Sequence, residues 1–208
     1  QNTQAMLCDL THAASVELLL GSGTLANDVV GAQLSLLPGK GVVLSNGEFG
    51  LRLADHARRF KLRFDHFDFP WGAPLDLEAV REKFARVPSP EWLWCAHCET
   101  STGVLNDLAA LKRLCAEYGV KLCLDAISSL GTLPVELTGV HLASGASGKG
   151  LRAYPGVAMV FYHHGVRPAS DHLPRYLDLG FYAEQGGVPF TFSSNLLHAL
   201  NAAIRGVD

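Results

Sequence analysis

The sequence predicts an α/β fold in which helices cover both faces of a mostly parallel, seven-stranded sheet. Short apolar runs alternate with segments of helical periodicity along the 208 residues, which is the pattern of the β–α units that build parallel sheets. Runs such as Val42-Val43-Leu44 and Leu122-Cys123-Leu124 are apolar without alternation, as in strands that are buried on both faces. Hydrophobic residues make up 48% of the chain and charged residues only 18%, which favours a large interior.

Each predicted strand is a short apolar run that ends at a glycine-rich or polar turn. We expect strands at Val16–Leu20, Val42–Ser45, Lys61–Phe64, Trp92–Ala96, Lys121–Asp125, His141–Ser144 and Val157–Tyr162. Between most of the strands, apolar residues recur at three- and four-residue steps, as on the buried face of a helix. We expect helices at Leu25–Leu37, Gly50–Arg59, Asp76–Ala85, Asp107–Tyr118 and Leu196–Arg205.

Proline and glycine indicate where the chain turns. Pro38-Gly39 and Pro88-Ser89-Pro90 each follow a predicted helix and stop it. The segment from His163 to Gly187 is rich in His, Pro and Gly, and we expect it to take an irregular path across the surface. Because no long linker or internal repeat divides the chain, we expect residues 1–208 to form one domain.

Charge and cysteine content narrow the class of protein. The net charge is −3, and no run of basic residues is longer than a pair such as Arg58-Arg59. The sequence therefore offers no basic surface for nucleic acid or an anionic membrane. No apolar run approaches the roughly 20 residues that a bilayer span requires. The five cysteines are odd in number and lie mostly in apolar runs, which favours buried thiols in a reducing compartment and hence a cytoplasmic protein.

Ligands of parallel α/β sheets bind at the carboxyl ends of the strands, so the residues there are the candidates for chemistry. Gly21-Ser22-Gly23-Thr24 follows the first strand and precedes a helix. The first turn of a helix offers unpaired N–H groups and a positive dipole end, which suit a phosphate. A tight turn capped by Ser22 or Thr24 explains the same residues.

Asp125 ends the strand that begins at Lys121. A carboxylate there either caps the following turn or pairs with a cationic ring nitrogen in the crevice, where desolvation strengthens the pairing. Further along, Lys149 stands alone among small residues, from Ser144 to Gly150. A lysine in such surroundings suits Schiff-base chemistry, although a glycine-rich loop with an incidental lysine is the competing interpretation. Together, the phosphate site, the carboxylate and the lysine are the three contacts that pyridoxal phosphate (PLP) requires.

Four segments make the chain resemble the class V aminotransferases of fold type I, and within them the 2-aminoethylphosphonate–pyruvate and alanine–glyoxylate aminotransferases. They are Gly21–Thr24, His97–Asn106 (HCETSTGVLN), Asp125–Gly131 (DAISSLG), and the lysine loop that leads to Tyr154-Pro155-Gly156. The resemblance covers nearly the whole chain. It implies the large, PLP-binding domain of an enzyme that moves an amino group from 2-aminoethylphosphonate or a small amino acid to pyruvate or glyoxylate.

The resemblance also assigns roles to residues. It implies that Gly23 and Thr24 hold the cofactor phosphate, that Phe49 stacks on the pyridine ring, and that Thr100 and Ser101 lie near the 3-oxygen of the ring.

On the same grounds, Asp125 is expected to keep the ring nitrogen protonated, and Ile127 to pack on the ring face opposite the aromatic residue. Lys149 is expected to carry the cofactor and to move the proton during transfer. Thr191 is expected to reach the phosphate of a neighbouring subunit, which implies a homodimer with shared active sites.

Two departures from the family stand out. Gly148 and Gly150 flank the lysine where the family has Asn or Gln before it and a small residue other than Gly after it, so we expect a more flexible loop. The chain also lacks an initiator Met and is shorter than the family, so we expect it to miss an N-terminal segment and the C-terminal small domain, with its substrate-binding arginine.

Two other functions remain open from the sequence. One is a class V lyase or decarboxylase, which shares Asp125 and Lys149, and the other is a catalytically silent domain that keeps the fold. A metal site is not expected. Cys95 and Cys98 could form half of a zinc site, but no second CxxC or HxxxH pair follows at the spacing that zinc sites use.

Overall fold

The computed structural model describes residues 3–86 and 90–207, and the helix stop expected at Pro88-Ser89-Pro90 falls largely outside these ranges. The strands are β1 Ser15–Leu20, β2 Gly41–Ser45, β3 Phe64–Asp68, β4 Trp92–Ala96, β5 Cys98–Glu99, β6 Val104–Leu105, β7 Lys121–Asp125, β8 Leu142–Ala146 and β9 Val157–Tyr162. The helices are α1 Thr3–Thr11, α2 Gly23–Leu34, α3 Glu48–Arg59, α4 Leu77–Arg86, α5 Leu108–Tyr118, α6 Leu179–Glu184 and α7 Ser194–Ile204, with a short 3₁₀ helix at Arg175–Leu177.

The predicted α/β architecture is confirmed. Seven strands form one sheet in the order β1-β9-β8-β7-β4-β2-β3. Only β9 runs against its neighbours, and the pairs β7–β8, β4–β7, β2–β4 and β2–β3 are parallel. The carboxyl ends of β1, β2, β4, β7 and β8 therefore meet at one edge of the sheet, and a small β5–β6 hairpin follows β4 there.

Helices pack on both faces of the sheet, as expected. Successive residues of β2 alternate between two apolar clusters, with Val42 and Leu44 in one and Val43 in the other. Side chains from α1, α4, α5 and α7 complete the first cluster, and side chains from α2, α3 and α6 complete the second. Burial on both faces explains why the central strands are apolar throughout.

The strand expected at Lys61–Phe64 is wrong, since β3 begins only at Phe64. Lys61 has a φ of +55°, and the N–H groups of Lys61 and Leu62 donate to Arg58 and Ala57 carbonyls at 2.9 Å each. These residues therefore close the end of α3. β3 lies at the edge of the sheet and is half-exposed. Its sequence is therefore partly polar and lacks the continuous apolar run by which the other strands are predicted.

The segment from His163 to Gly187 is not irregular throughout, because it contains the 3₁₀ helix and α6. Asp178 caps α6 by accepting a hydrogen bond from Phe181 N at 3.2 Å, and its other oxygen accepts from Ala169 N at 2.8 Å. Leu179 and Tyr182 are buried in the second apolar cluster. None of the helices in the described residues is long and apolar enough to cross a membrane.

A histidine pair at the amino end of β8 predicts acid sensitivity. The rings of His141 and His164 stack with 3.8 Å between centroids. Burial, together with the positive charges of His164 and Lys121, lowers the pKa of His141 to about 3, against the opposing effect of Glu91. The unfolded chain binds this proton near the ordinary pKa of 6.5, so the native state loses stability as pH falls from about 6.5 towards 3.

We therefore expect the free energy of unfolding in urea to decrease between about pH 7.5 and pH 5. His141→Phe, which keeps a flat ring against His164, should lessen this decrease. The matched control is His172→Gln, at an exposed position. Equal pH slopes for wild type and His141→Phe would contradict the assignment.

Candidate active site

The carboxyl edge of the sheet holds a cleft of about 750 Å³. The cleft brings together six of the residues that the sequence singles out, namely Gly23, Thr24, Phe49, Asp125, Ile127 and Lys149. They come from distant parts of the chain and from four strand ends, as expected for a ligand site on a parallel sheet.

One end of the cleft is the first turn of α2. Ser22 is the N-cap of this helix, yet its side chain makes no capping hydrogen bond, so the capped-turn interpretation does not hold for Ser22. A Cβ atom on Gly23 would lie 2.6 Å from Ile127 Cδ1, so a larger residue here would displace the Ile127 side chain. The first-turn N–H groups of α2 therefore border the cleft and suit an anion.

Asp125 forms part of the cleft wall, where β7 ends. It is 7% exposed, with Oδ1 accepting from Ile127 N at 2.9 Å and Oδ2 accepting from Asn27 Nδ2 at 2.9 Å. Burial raises the pKa of this carboxyl, and the two hydrogen bonds oppose the rise. The capping interpretation of Asp125 is therefore confirmed, since Oδ1 accepts from the turn after β7. Its pairing with a ring nitrogen stays a prediction, and its place on the cleft wall is compatible with that role.

Glu99 fixes the first turn of α3, which carries Phe49. This carboxylate is fully buried and accepts from Phe49 N at 3.2 Å and Gly50 N at 2.9 Å, at the start of α3. Negative charge is favourable at the first turn of a helix. The Arg52 guanidinium carbon lies 5.2 Å from the centroid of the Phe49 ring. Phe49 is thus held at the cleft by its backbone.

Thr100 and Ser101 do not line this cleft. Thr100 borders an adjoining groove of about 440 Å³ that it shares with Lys149 and Arg152. The Ser101 hydroxyl donates to Glu99 Oε1 at 2.6 Å and accepts from Glu48 N at 3.0 Å. In this structure, the Ser101 hydroxyl therefore stabilises the loop before α3.

Lys149 is exposed and lines both the cleft and the adjoining groove. The glycines beside it lie in tightly packed backbone. A Cβ atom on Gly148 would lie 2.9 Å from Pro155 Cα, and one on Gly150 would lie 2.5 Å from the Leu130 carbonyl oxygen. The lack of space for a side chain is therefore a structural reason for glycine at these two positions, and the expected flexibility of the loop stays a prediction.

Thr191 lies away from the cleft. It is exposed and borders a small depression beside β1, with Phe190 and Phe192. Within this single chain it has no place at the cofactor cleft.

Buried residues of the segment His97–Asn106 stabilise the loops that border the cleft. His97 is buried, and its Nδ1 lies 2.9 Å from Ser129 Oγ, which ties the loop after β4 to the loop after β7. Asn106 donates to the Ala96 carbonyl at 2.9 Å and accepts from Asn46 Nδ2 at 3.0 Å. These buried contacts require specific side chains in the HCETSTGVLN segment, although few of these side chains face the cleft.

Several cleft residues escaped the sequence analysis. Asn27 lies one helical turn after Gly23, and this i, i+4 spacing on α2 was the one signal that could have placed it on the cleft side of the helix. Asp28 and His56 form another pair across α2 and α3, with Oδ1 2.8 Å from Nδ1. No local pattern in the sequence joins these two residues, because the packing of α2 against α3 brings them together.

Comparison with known proteins identifies the family. Residues 3–173 match the model of the family described as aminotransferase class-V. The 2-aminoethylphosphonate–pyruvate transaminase of Pseudomonas entomophila is 32% identical over 194 residues, which are 89% of this chain and 53% of that protein. A protein named soluble hydrogenase, small subunit, from Synechococcus sp. is 36% identical over 202 residues, which are 91% of this chain and 52% of that protein.

A solved structure agrees with the sequence relatives. The alanine–glyoxylate aminotransferase of Nostoc sp. superposes with a TM-score of 0.83 at 31% identity, over 98% of this chain and 57% of that one. The chain spans about half the length of the curated relatives it matches. Its cleft, its fold and its sequence agree on one assignment: the chain belongs to the class V aminotransferases, a family of PLP-dependent enzymes.

Proposed function

We propose that this chain is the PLP-binding large domain of an aminotransferase. In this proposal, an amino group passes from 2-aminoethylphosphonate or a small amino acid to pyruvate or glyoxylate, as the names of the relatives suggest. The observation that carries the proposal is the cleft itself, in which Lys149, Asp125 and the first turn of α2 meet.

The residues of the cleft fit PLP. The first turn of α2 offers N–H groups for the phosphate. Because Gly23 has no side chain, none stands between these N–H groups and the cleft. Asp125 offers a buried carboxylate for the ring nitrogen, and Phe49 and Ile127 offer apolar surface for the ring. When bound, PLP supplies an electron sink for the carbanion of the substrate.

Lys149 has two tasks in this proposal. Its Nζ would hold the aldehyde carbon of the cofactor, and its free amine would take the proton from the substrate α-carbon. An exposed lysine at the junction of the cleft and the adjoining groove can reach an entering substrate. The Asp125 carboxylate meanwhile keeps the ring nitrogen protonated by charge and hydrogen bonding.

The rest of the assembly follows from the family resemblance. We propose a homodimer in which Thr191 reaches the phosphate of the neighbouring subunit. This role is supported by the exposure of Thr191 and by its position outside the cleft of its own chain. We also propose a cytoplasmic location. It is supported by the free thiols of Cys8, Cys95, Cys98, Cys115 and Cys123.

A half-reaction assay tests the proposed function. The intact protein that contains this chain is loaded with PLP, and 2-aminoethylphosphonate or L-alanine is added without a keto acid. We expect the absorbance of the bound cofactor to shift to that of its amine form, and pyruvate or glyoxylate to reverse the shift with release of an amino acid. Release of carbon dioxide or of an elimination product would favour a lyase or decarboxylase, and failure to bind PLP would favour a silent domain.

A further inference from the structure

A buried chain of hydrogen bonds ends at Asp125 in the cleft wall, and Asn27, its middle member, also lines the cleft. Ser144 Oγ on β8 donates to Asn27 Oδ1 on α2 at 2.7 Å, and Asn27 Nδ2 donates to Asp125 Oδ2 on β7 at 2.9 Å. Ser144 is fully buried and Asn27 is 6% exposed. The chain therefore links side chains of three separate elements and ends at one carboxylate oxygen of Asp125.

The chain of donors fixes the orientation of the Asn27 amide. If the amide were flipped, its oxygen would face Asp125 Oδ2, and two acceptors would be opposed in a buried site. An ionised Asp125 can only accept, so the amide presents its N–H to Asp125, and the Ser144 hydroxyl donates to the Asn27 Oδ1 on the other side. The carboxylate thus receives one hydrogen bond on each oxygen, with Ile127 N as the other donor.

Each oxygen of an ionised carboxylate has two acceptor sites. One site on each oxygen of Asp125 is used by Asn27 or Ile127, which leaves further sites for a ligand in the cleft. Hydrogen bonds to the charged form of a carboxyl favour that form, whereas burial favours the neutral one. At 7% exposure, Asp125 depends on these donors to remain charged.

We propose that Asn27 is a positioning residue for Asp125: its amide, oriented by Ser144, keeps the Asp125 carboxylate ionised and directed at the cleft, where it meets a protonated ring nitrogen. This role rests on the proposed PLP site. The sequence alone assigns the contact with the ring nitrogen to Asp125 on β7. This proposal adds Asn27 on α2 as the residue that positions Asp125.

Other charges act on the same carboxyl. Glu99 opposes ionisation of Asp125 and His56 favours it. The charged or titratable groups that line the cleft with Asp125 are Asp28, Arg52, Asp55, His56, Arg59, Cys98 and Lys149. Asn27 is uncharged, so replacing it changes the hydrogen bond to Asp125 and leaves these charges as they are.

The test compares Asn27→Leu with a matched control, Gln33→Leu. Both variants remove a buried amide from α2, but Gln33 donates to the Leu177 carbonyl, at 3.2 Å, and Asp125 is not its partner. In the apo protein, the titration of Asp125 is followed by NMR of ¹³C-labelled aspartate side chains and assigned with Asp125→Asn. We expect Asn27→Leu to raise the pKa of Asp125 by about one or more and Gln33→Leu to leave it unchanged.

The second readout is the pH dependence of PLP affinity. We expect Asn27→Leu to weaken PLP binding by about tenfold or more near pH 6, and by less at higher pH, where the carboxyl ionises again. Gln33→Leu should lower only the free energy of unfolding. A smaller change, Ser144→Ala, frees the Asn27 amide to turn and should move both readouts in the same direction as Asn27→Leu, which keeps the test available if Asn27→Leu does not fold.

An unchanged pKa of Asp125 in folded Asn27→Leu and Ser144→Ala would overturn the positioning role. The titration is measured without cofactor, so it does not depend on the proposed function. If wild type fails to bind PLP while the pKa of Asp125 rises in the variants, the proposed function fails and the role of Asn27 towards Asp125 stands.

Discussion

Replacing Lys149 by alanine is expected to abolish covalent retention of PLP and to lower the transamination rate by roughly 10²–10⁴-fold or more, because the variant loses both the attachment point and the proton carrier. The fold should persist. Lys149 is exposed, and substitutions at such positions usually change stability by no more than about 0.5 kcal/mol. Measurements of cofactor absorbance and of urea unfolding on the same preparation separate the two effects.

Lys40→Ala is the matched control for Lys149→Ala. Lys40 is also exposed, and it lies before β2, at the opposite end of the sheet, where it pairs with Asp65 at 2.6 Å. We expect this variant to retain PLP and activity. Covalent cofactor that survives in Lys149→Ala, or is lost in Lys40→Ala, would refute the assignment of Lys149.

Replacing Asp125 by alanine is expected to weaken PLP binding by roughly 10- to 150-fold, which corresponds to about 1.5–3 kcal/mol for a hydrogen bond to a charged group. The rate of transfer should also fall, because the ring nitrogen loses the anion that keeps it protonated. Equilibrium titration with PLP and the half-reaction assay measure the two effects separately.

Asp55→Ala removes the same charge from the same cleft and serves as the control for Asp125→Ala. Asp55 pairs with Arg59 at 2.6 Å, and both side chains are more than half exposed. We expect little change in PLP affinity, since exposed ion pairs contribute about 0–1 kcal/mol. Full transamination by Asp125→Ala would mean that another group pairs with the ring nitrogen.

The buried strands were predictable because burial on both faces leaves a continuous apolar signature. Trp92–Ala96 and Lys121–Asp125 coincide with β4 and β7. The edge strand β3 was misplaced, since its sequence, Phe-Asp-His-Phe-Asp, is half polar and half-exposed. Local sequence carries the hydrophobic pattern of a strand but not its position in the sheet.

Much of the cleft was also predictable, because its residues follow strand ends directly. Gly23, Asp125 and Lys149 meet as the topology of a parallel sheet requires. The hydrogen bonds that lead from Ser144 through Asn27 to Asp125 were not predictable. Asn27 and Ser144 are separated by 117 positions in the chain, and only the packing of α2 on β8 brings them together.

The central claim is that Lys149 holds PLP in the cleft at the carboxyl edge of the sheet. The most direct test is to add PLP to the purified protein, reduce with borohydride, digest, and map the modified peptide by mass spectrometry. We expect a cofactor absorbance band before reduction and a single labelled residue, Lys149. A label on another lysine, or a cofactor that binds and is never fixed by reduction, would contradict the account.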